Sequence, residues 1–258
     1  PGYHRVFVKA MNQHGTGSET IAIVARPQTD QYGWPVDVPD GSDIPQNGLV
    51  LWLDANDVDA DGEFDSGTDH LKLANWVDKS GKDHNATQVK AANQPEIRGG
   101  QITGKPNLNV LVFDGNQSLS FPTIDQGRTF FWVIKMHPDT SEHANFFSYT
   151  SSTLWGINGK PASYGKQTLK LNGYSESVIS NGNWKVNGNS VNQNDFVSFS
   201  PTTISLVSSD LASSNLIGRH NSESLPGDLI DSFFSGNICE ILIYDQALTS
   251  NQIETVEK

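Results

Sequence analysis

Apolar and polar positions alternate with a period of two along much of the chain. The segments VLVFDG (110–115), NFFSYT (145–150), LWGIN (154–158), TLKLN (168–172), WKVNG (184–188), TISLVSS (203–209) and CEILIYD (239–245) read as strands of an antiparallel sheet. TFFWVIKM (129–136) is almost continuously apolar, so it is expected to be a central strand covered on both faces. Asn-Gly pairs at 47–48, 158–159, 172–173, 181–182 and 187–188 tolerate the positive φ of tight hairpin turns and are expected to separate strands. One helix is predicted, over LTSNQIETVEK (248–258). Thr249 and Gln252 have capping-box spacing, with Ile253 and Val256 on one face. Many short strands and one terminal helix predict an all-β sandwich or jelly roll.

The first 46 residues differ from the rest. Residues 28–46, QTDQYGWPVDVPDGSDIPQ, are rich in Pro, Gly and Asp without apolar period and read as a linker. Domain organisation is therefore expected as 1–27, a linker at 28–46 and a main domain at 47–258. The opening PGYHRVFVKAMNQHG has mid-strand character and reads as a piece of a longer protein with export signals upstream.

Low charge (18%), 36% hydrophobic residues and abundant turn formers suit an extracellular β module better than a helical enzyme. A net charge of −12 disfavours nucleic acid and anionic lipid as partners and is compatible with cation binding and with neutral or basic partners. No apolar run reaches the roughly 18 residues of a membrane helix, so membrane insertion is not expected. Cys239, the single cysteine, lies in an apolar run and is expected to be a buried core residue.

The acidic stretch DANDVDADGEFDSG (54–67) carries the clearest chemistry. Asp57, Asp59 and Asp61 stand at alternate positions, Gly62 follows, and Glu63, Phe64 and Asp65 complete the run. Hard Ca²⁺ takes six to eight oxygens, and this is how an EF-hand-type loop opens, with carboxylates at positions 1, 3 and 5 and Gly at 6. Glu63 would offer its backbone carbonyl, Phe64 would anchor the loop, and Asp65 would reach the ion through water. Position 12 is Thr68 instead of an acid, leaving Asp69 or Asp54 as additional ligand candidates. Zinc is disfavoured because no His or Cys is near in sequence.

Two resemblances add to this reading. Residues 2–27 resemble the last two strands of a fibronectin type III domain, with Tyr3, RVFVKAMN, a Gly-rich turn, Ser18 and a strand ending in Arg26-Pro27. From Gly48 the chain resembles the LamG-like, concanavalin A-like jelly-roll family. GLVLWLDANDVDADG, WVDKSGKDHNATQ, VLVFDGNQSLSF, FFWVIKM and FSGNICEILIYDQALTSNQIETVEK match that family's motifs in order. The resemblance implies two facing antiparallel sheets with one short C-terminal helix. It also implies a secreted or surface module, monomeric as a unit, that binds glycans, peptides or protein surfaces, usually without catalysis.

Glycosidases of this fold place paired carboxylates on one strand, as in E-x-D-x-x-E, about 5 Å apart. No such run occurs, and Glu240 stands alone in its strand. No catalytic residue is assigned. A glycan-binding module is the leading expectation, a peptide- or protein-binding adhesin domain the second and a jelly-roll glycosidase or lyase the third. Ligand contacts are expected from Trp155, Tyr164, Tyr174 and Trp184, aromatic residues in turn-rich sequence, and from Arg219, His220 and Asn221. Trp52, Trp76 and Trp132 lie in apolar runs and read as core.

Overall fold

A computed structural model of the chain describes residues 5–9, 20–24, 44–65, 70–99, 108–137, 147–149, 157–162, 166–171, 177–191, 196–197, 201–219 and 233–257. Two compact units are formed, Pro1–Ile44 and Pro45–Lys258. In the first, β1 (Arg5–Lys9) pairs antiparallel with β2 (Thr20–Val24).

The second unit is an all-β sandwich. Its strands are β3 (Leu49–Asp54), β4 (Leu71–Lys72), β5 (Asn75–Trp76), β6 (Ala86–Thr87), β7 (Glu96–Gly99), β8 (Asn109–Asp114), β9 (Leu119–Met136) and β10 (Phe147–Ser148). They continue as β11 (Ile157–Ala162), β12 (Lys166–Leu171), β13 (Asn183–Val186), β14 (Asn189–Val191), β15 (Phe196–Val197), β16 (Thr202–Ile217) and β17 (Ser235–Tyr244). The backbone of β11, β12 and β15 forms a separate three-stranded sheet.

Two long strands organise the sandwich. β9 and β16 pair from Thr202↔Ile134 to Val207↔Thr129, break register, and resume with two further shifts from Ala212↔Gly127 to Ile217↔Leu119. Such irregularities bend a strand pair locally and strengthen its twist. Both stretches supply the core: Leu119, Phe121, Ala212 and Ile217 join Phe130, Trp132, Ile134, Ile204 and Leu206 in one buried cluster. Within it, Trp132 stacks on Phe130 at 5.7 Å and meets Phe147 edge-on at 5.5 Å.

β17 keeps β9 along one side. Its other side pairs with β8 over Ser235–Ile238 and with β3 over Glu240–Tyr244. The register shifts between Ile238 and Glu240, so Cys239 is an extra residue. That bulge resets the alternation: Ile238, Ile241 and Ile243 face the core, while Glu240 is turned away from it. Cys239 is buried and in no disulfide.

Helix α2 (Ser250–Val256) has the expected capping box, with Thr249 and Gln252 each bonding the other's backbone, and Ile253 buried. A further single turn, α1 (Ser177–Ser180), also forms. The Asn-Gly pairs divide. Asn187 and Gly188 are both left-handed, at φ 49° and 76°, and close the β13–β14 hairpin. Asn158 and Gly159 instead lie inside β11, opposite Lys170 and Leu169, so that pair is no turn. Asn172-Gly173 lies outside the described residues.

Candidate metal centre

The acidic loop leaves the sandwich where β3 ends and β8 begins beside the Cys239 bulge. Ala55 N–H donates to the Cys239 carbonyl at 2.8 Å, and Asn109 N–H to Asn56 Oδ1 at 2.9 Å. Asn109 Nδ2 also donates to the Asp65 carbonyl at 3.1 Å. The start of the loop is thus pinned to the interior of β17, and both its start and its end to the first residue of β8. Val58, buried in the main core, anchors the middle. Phe64 does not: it is 42% exposed, which corrects the expectation that it anchors the loop.

Between these anchors the backbone curls. Ala60 and Gly62 adopt left-handed φ values of 58° and 91°. The curl brings one carboxylate oxygen from each of Asp57, Asp59 and Asp61 within 4.8 Å of one another. Backbone amides orient all three. Gly62 N–H donates to Asp57 Oδ2 at 3.2 Å, Asp61 N–H to Asp59 Oδ1 at 3.3 Å, and Glu63 N–H to Asp61 Oδ1 at 2.8 Å. Asp59, Asp61 and Glu63 are exposed, whereas Asp57 is only 3% exposed.

Asp57 has a further feature. Its Oδ2 meets Lys79 Nζ at 2.8 Å, while its Oδ1 is buried and accepts no hydrogen bond among the described residues. A buried carboxylate oxygen without a donor is costly unless a cation takes it. Three converging carboxylates of hard oxygen character, one with an orphaned oxygen, therefore fit a hard divalent cation.

The remaining acids of the stretch have other partners. Asp54 accepts Asn56 N–H at Oδ1 and Lys79 Nζ, at 3.1 Å, at Oδ2. Asp65 Oδ2 accepts Val58 N–H at 2.5 Å. Burial raises the Asp65 carboxyl above its ordinary range, the Val58 amide opposes this, and the charges of Asp59, Asp57 and Asp61 add to the rise. Asp69 lies outside the described residues.

Lys79 comes from the Trp-x-Asp-x-Ser-Gly turn, which runs along the side of β3 away from β17. Trp52 N–H donates to Asp78 Oδ1 at 2.9 Å, Lys79 N–H to the Trp52 carbonyl at 2.8 Å, and His84 Nδ1 meets the Val50 carbonyl at 2.8 Å. The Lys79 ammonium also sits 4.6 Å from the centre of the Trp52 ring. Burial acts to lower the Lys79 pKa, but Asp57 and Asp54 outweigh it and the net shift is upward. Sequence reading missed Lys79, whose carboxylate partners lie more than twenty residues away.

Of the aromatic residues expected to contact ligand, Trp155, Tyr164 and Tyr174 lie outside the described residues. Trp184 is a correction. It is 5% exposed, stacks on Trp132 at 6.2 Å, and donates its indole N–H to the Ile179 carbonyl at 3.1 Å. Its pairing with Leu206 of β16 turns it into the core. Arg219 is half-buried with its guanidinium 5.6 Å from the Phe233 ring, and His220 and Asn221 lie outside the described residues.

No family model and no curated protein sequence matches the chain. Among solved structures, it is similar to Trypanosoma rangeli sialidase in complex with sialic acid, at 14% identity and a TM-score of 0.41. The same sialidase with 2,3-difluorosialic acid as a covalent intermediate gives 14% identity and 0.42. Both comparisons cover 90% of this chain but 35% of the sialidase, so the chain spans about a third of that protein's length. A likeness at this level carries no argument about activity. No described helix is long and apolar enough to cross a membrane.

Proposed function

We propose that the chain is a non-catalytic, calcium-stabilised binding module of a secreted or surface-anchored protein, and that its ligand is a glycan. The observation that carries the reading is the carboxylate group of Asp57, Asp59 and Asp61, with the buried Asp57 Oδ1 left unpartnered. Ca²⁺ would be held by these three residues, and when bound it would neutralise the loop and stiffen the rim beside β3.

The LamG-like resemblance of residues 48–258 and the fibronectin-like resemblance of residues 2–27 support a modular, extracellular setting. Phe64 supports a sugar as ligand: its exposed ring stands in the same loop as the exposed Asp59 and Asp61. A sugar can lay its C–H face on an aromatic ring while its hydroxyls reach an ion.

The test is a glycan array probed with calcium and with chelator, beside a peptide library under the same conditions. Calcium-dependent capture on a defined set of glycans supports the reading. Capture on peptides alone replaces it with a protein-binding adhesin domain, and silence on both removes it.

A further inference from the structure

We propose that Lys79 sets the ion affinity of the acidic loop, acting as a fixed internal cation that keeps the site weak enough to fill only at about 0.1–1 mM calcium. The proposal rests on the metal reading above. Lys79 Nζ is shared between Asp57 Oδ2 at 2.8 Å and Asp54 Oδ2 at 3.1 Å, and it is mostly covered, with 18% of its side chain exposed. Asp57 is therefore a two-sided carboxylate: one oxygen is taken by Lys79 and Gly62 N–H, the other is buried without a donor.

An ion on the second oxygen would share one carboxylate with a permanent positive charge. Calcium affinity follows the number of uncompensated ligand charges and the rigidity of the loop. Lys79 lowers the first and raises the second, so the two effects oppose each other on its removal. Charge decides the sign. Asp57 remains oriented without Lys79, because Gly62 N–H still holds Oδ2, Asp57 N–H still donates to the Asp54 carbonyl at 3.2 Å, and neighbouring Val58 stays buried. The repulsion has no such substitute, and loss of a shielded like charge next to a divalent ion is worth about tenfold in affinity. The same cation keeps the empty loop folded by balancing Asp54 and Asp57. The module would then hold its shape at low calcium and gain the ion in a calcium-rich compartment, where dissociation constants of about 0.1–1 mM are typical of binding modules.

The test is calorimetric titration of the chelator-stripped full chain with calcium chloride, for wild type, Lys79→Gln, Lys79→Met and Lys79→Arg. Lys79→Gln keeps a donor for Asp57 and carries the test if Lys79→Met does not fold. The expected result is about tenfold tighter binding for Lys79→Gln, with Lys79→Arg close to wild type. In chelator, the neutral variants are expected to melt below wild type. Unchanged or weaker binding by a folded Lys79→Gln overturns the proposal while leaving the ion site intact. No binding by any form, wild type included, removes the ion site itself and this proposal with it.

Discussion

Trp52 and Glu240 join the first and last strands of the sandwich: the indole N–H donates to the Glu240 carboxylate at 2.8 Å across 188 residues of chain. The contact exists because the bulge at Cys239 turns Glu240 to the Trp52 side of β17. Burial pushes the Glu240 carboxyl up to about 7, the charge of Asp54 directly across the strand pair adds to this, and the Trp52 hydrogen bond and Lys79 oppose it.

A raised carboxyl favours the folded state when protonated. The Glu240 contribution is fully present below its ordinary value of 4.5 and is lost as pH rises through about 7. Glu240→Gln is expected to remove this loss. The variant should be more stable than wild type above pH 7 by about 1–2 kcal/mol, a margin that shrinks towards pH 5. Urea unfolding of both proteins at several pH values measures the difference. A margin independent of pH contradicts the assignment.

Asp78 is the hub of the turn that covers the β3 edge. Its buried carboxylate accepts Trp52 N–H, Ser80 N–H, Ser80 Oγ–H and His84 N–H at 2.8–3.0 Å. Asp78→Ala strands these donors and is expected to cost about 2–4 kcal/mol. Because the same turn presents Lys79, calcium binding should change along with stability, read by chemical denaturation and titration together.

Trp184 tests the correction made by the fold. As a core residue between Ile179 and Trp132, its change to Ala is expected to destabilise by about 3–5 kcal/mol. Glycan binding per folded molecule should be unaffected, whereas Phe64→Ala should weaken binding with little effect on stability. A Trp184→Ala protein that is as stable as wild type but blind to glycan would reverse that assignment.

What was legible in the sequence is what depends on near neighbours. The Thr249–Gln252 capping box and the Asp57–Gly62 curl are made within a few residues, so spacing alone specifies them. The face of Trp184 could not be read this way, because WKVNG has the same period whichever side meets β16. Only the distant Trp184↔Leu206 register chooses. The face of Glu240, visible in sequence only as a lone acid in its strand, was hidden for a related reason: one extra residue at Cys239 shifts every following side chain. Asn158-Gly159 shows the reverse error, a strong turn signal overridden by pairing with β12. Lys79 belongs to a turn whose motif was visible, but its charge partners lie on another loop.

The central claim is that the loop from Asp57 to Asp65 holds a calcium ion that stiffens the module. The most direct measurement is thermal unfolding of the chelator-stripped chain with and without about 10 mM calcium, beside Asp59→Asn/Asp61→Asn. Wild type is expected to melt several degrees higher with calcium, as about 1.5–2.5 kcal/mol of binding energy requires, and the double variant to show no shift. An equal shift in both proteins, or none in wild type, contradicts the claim.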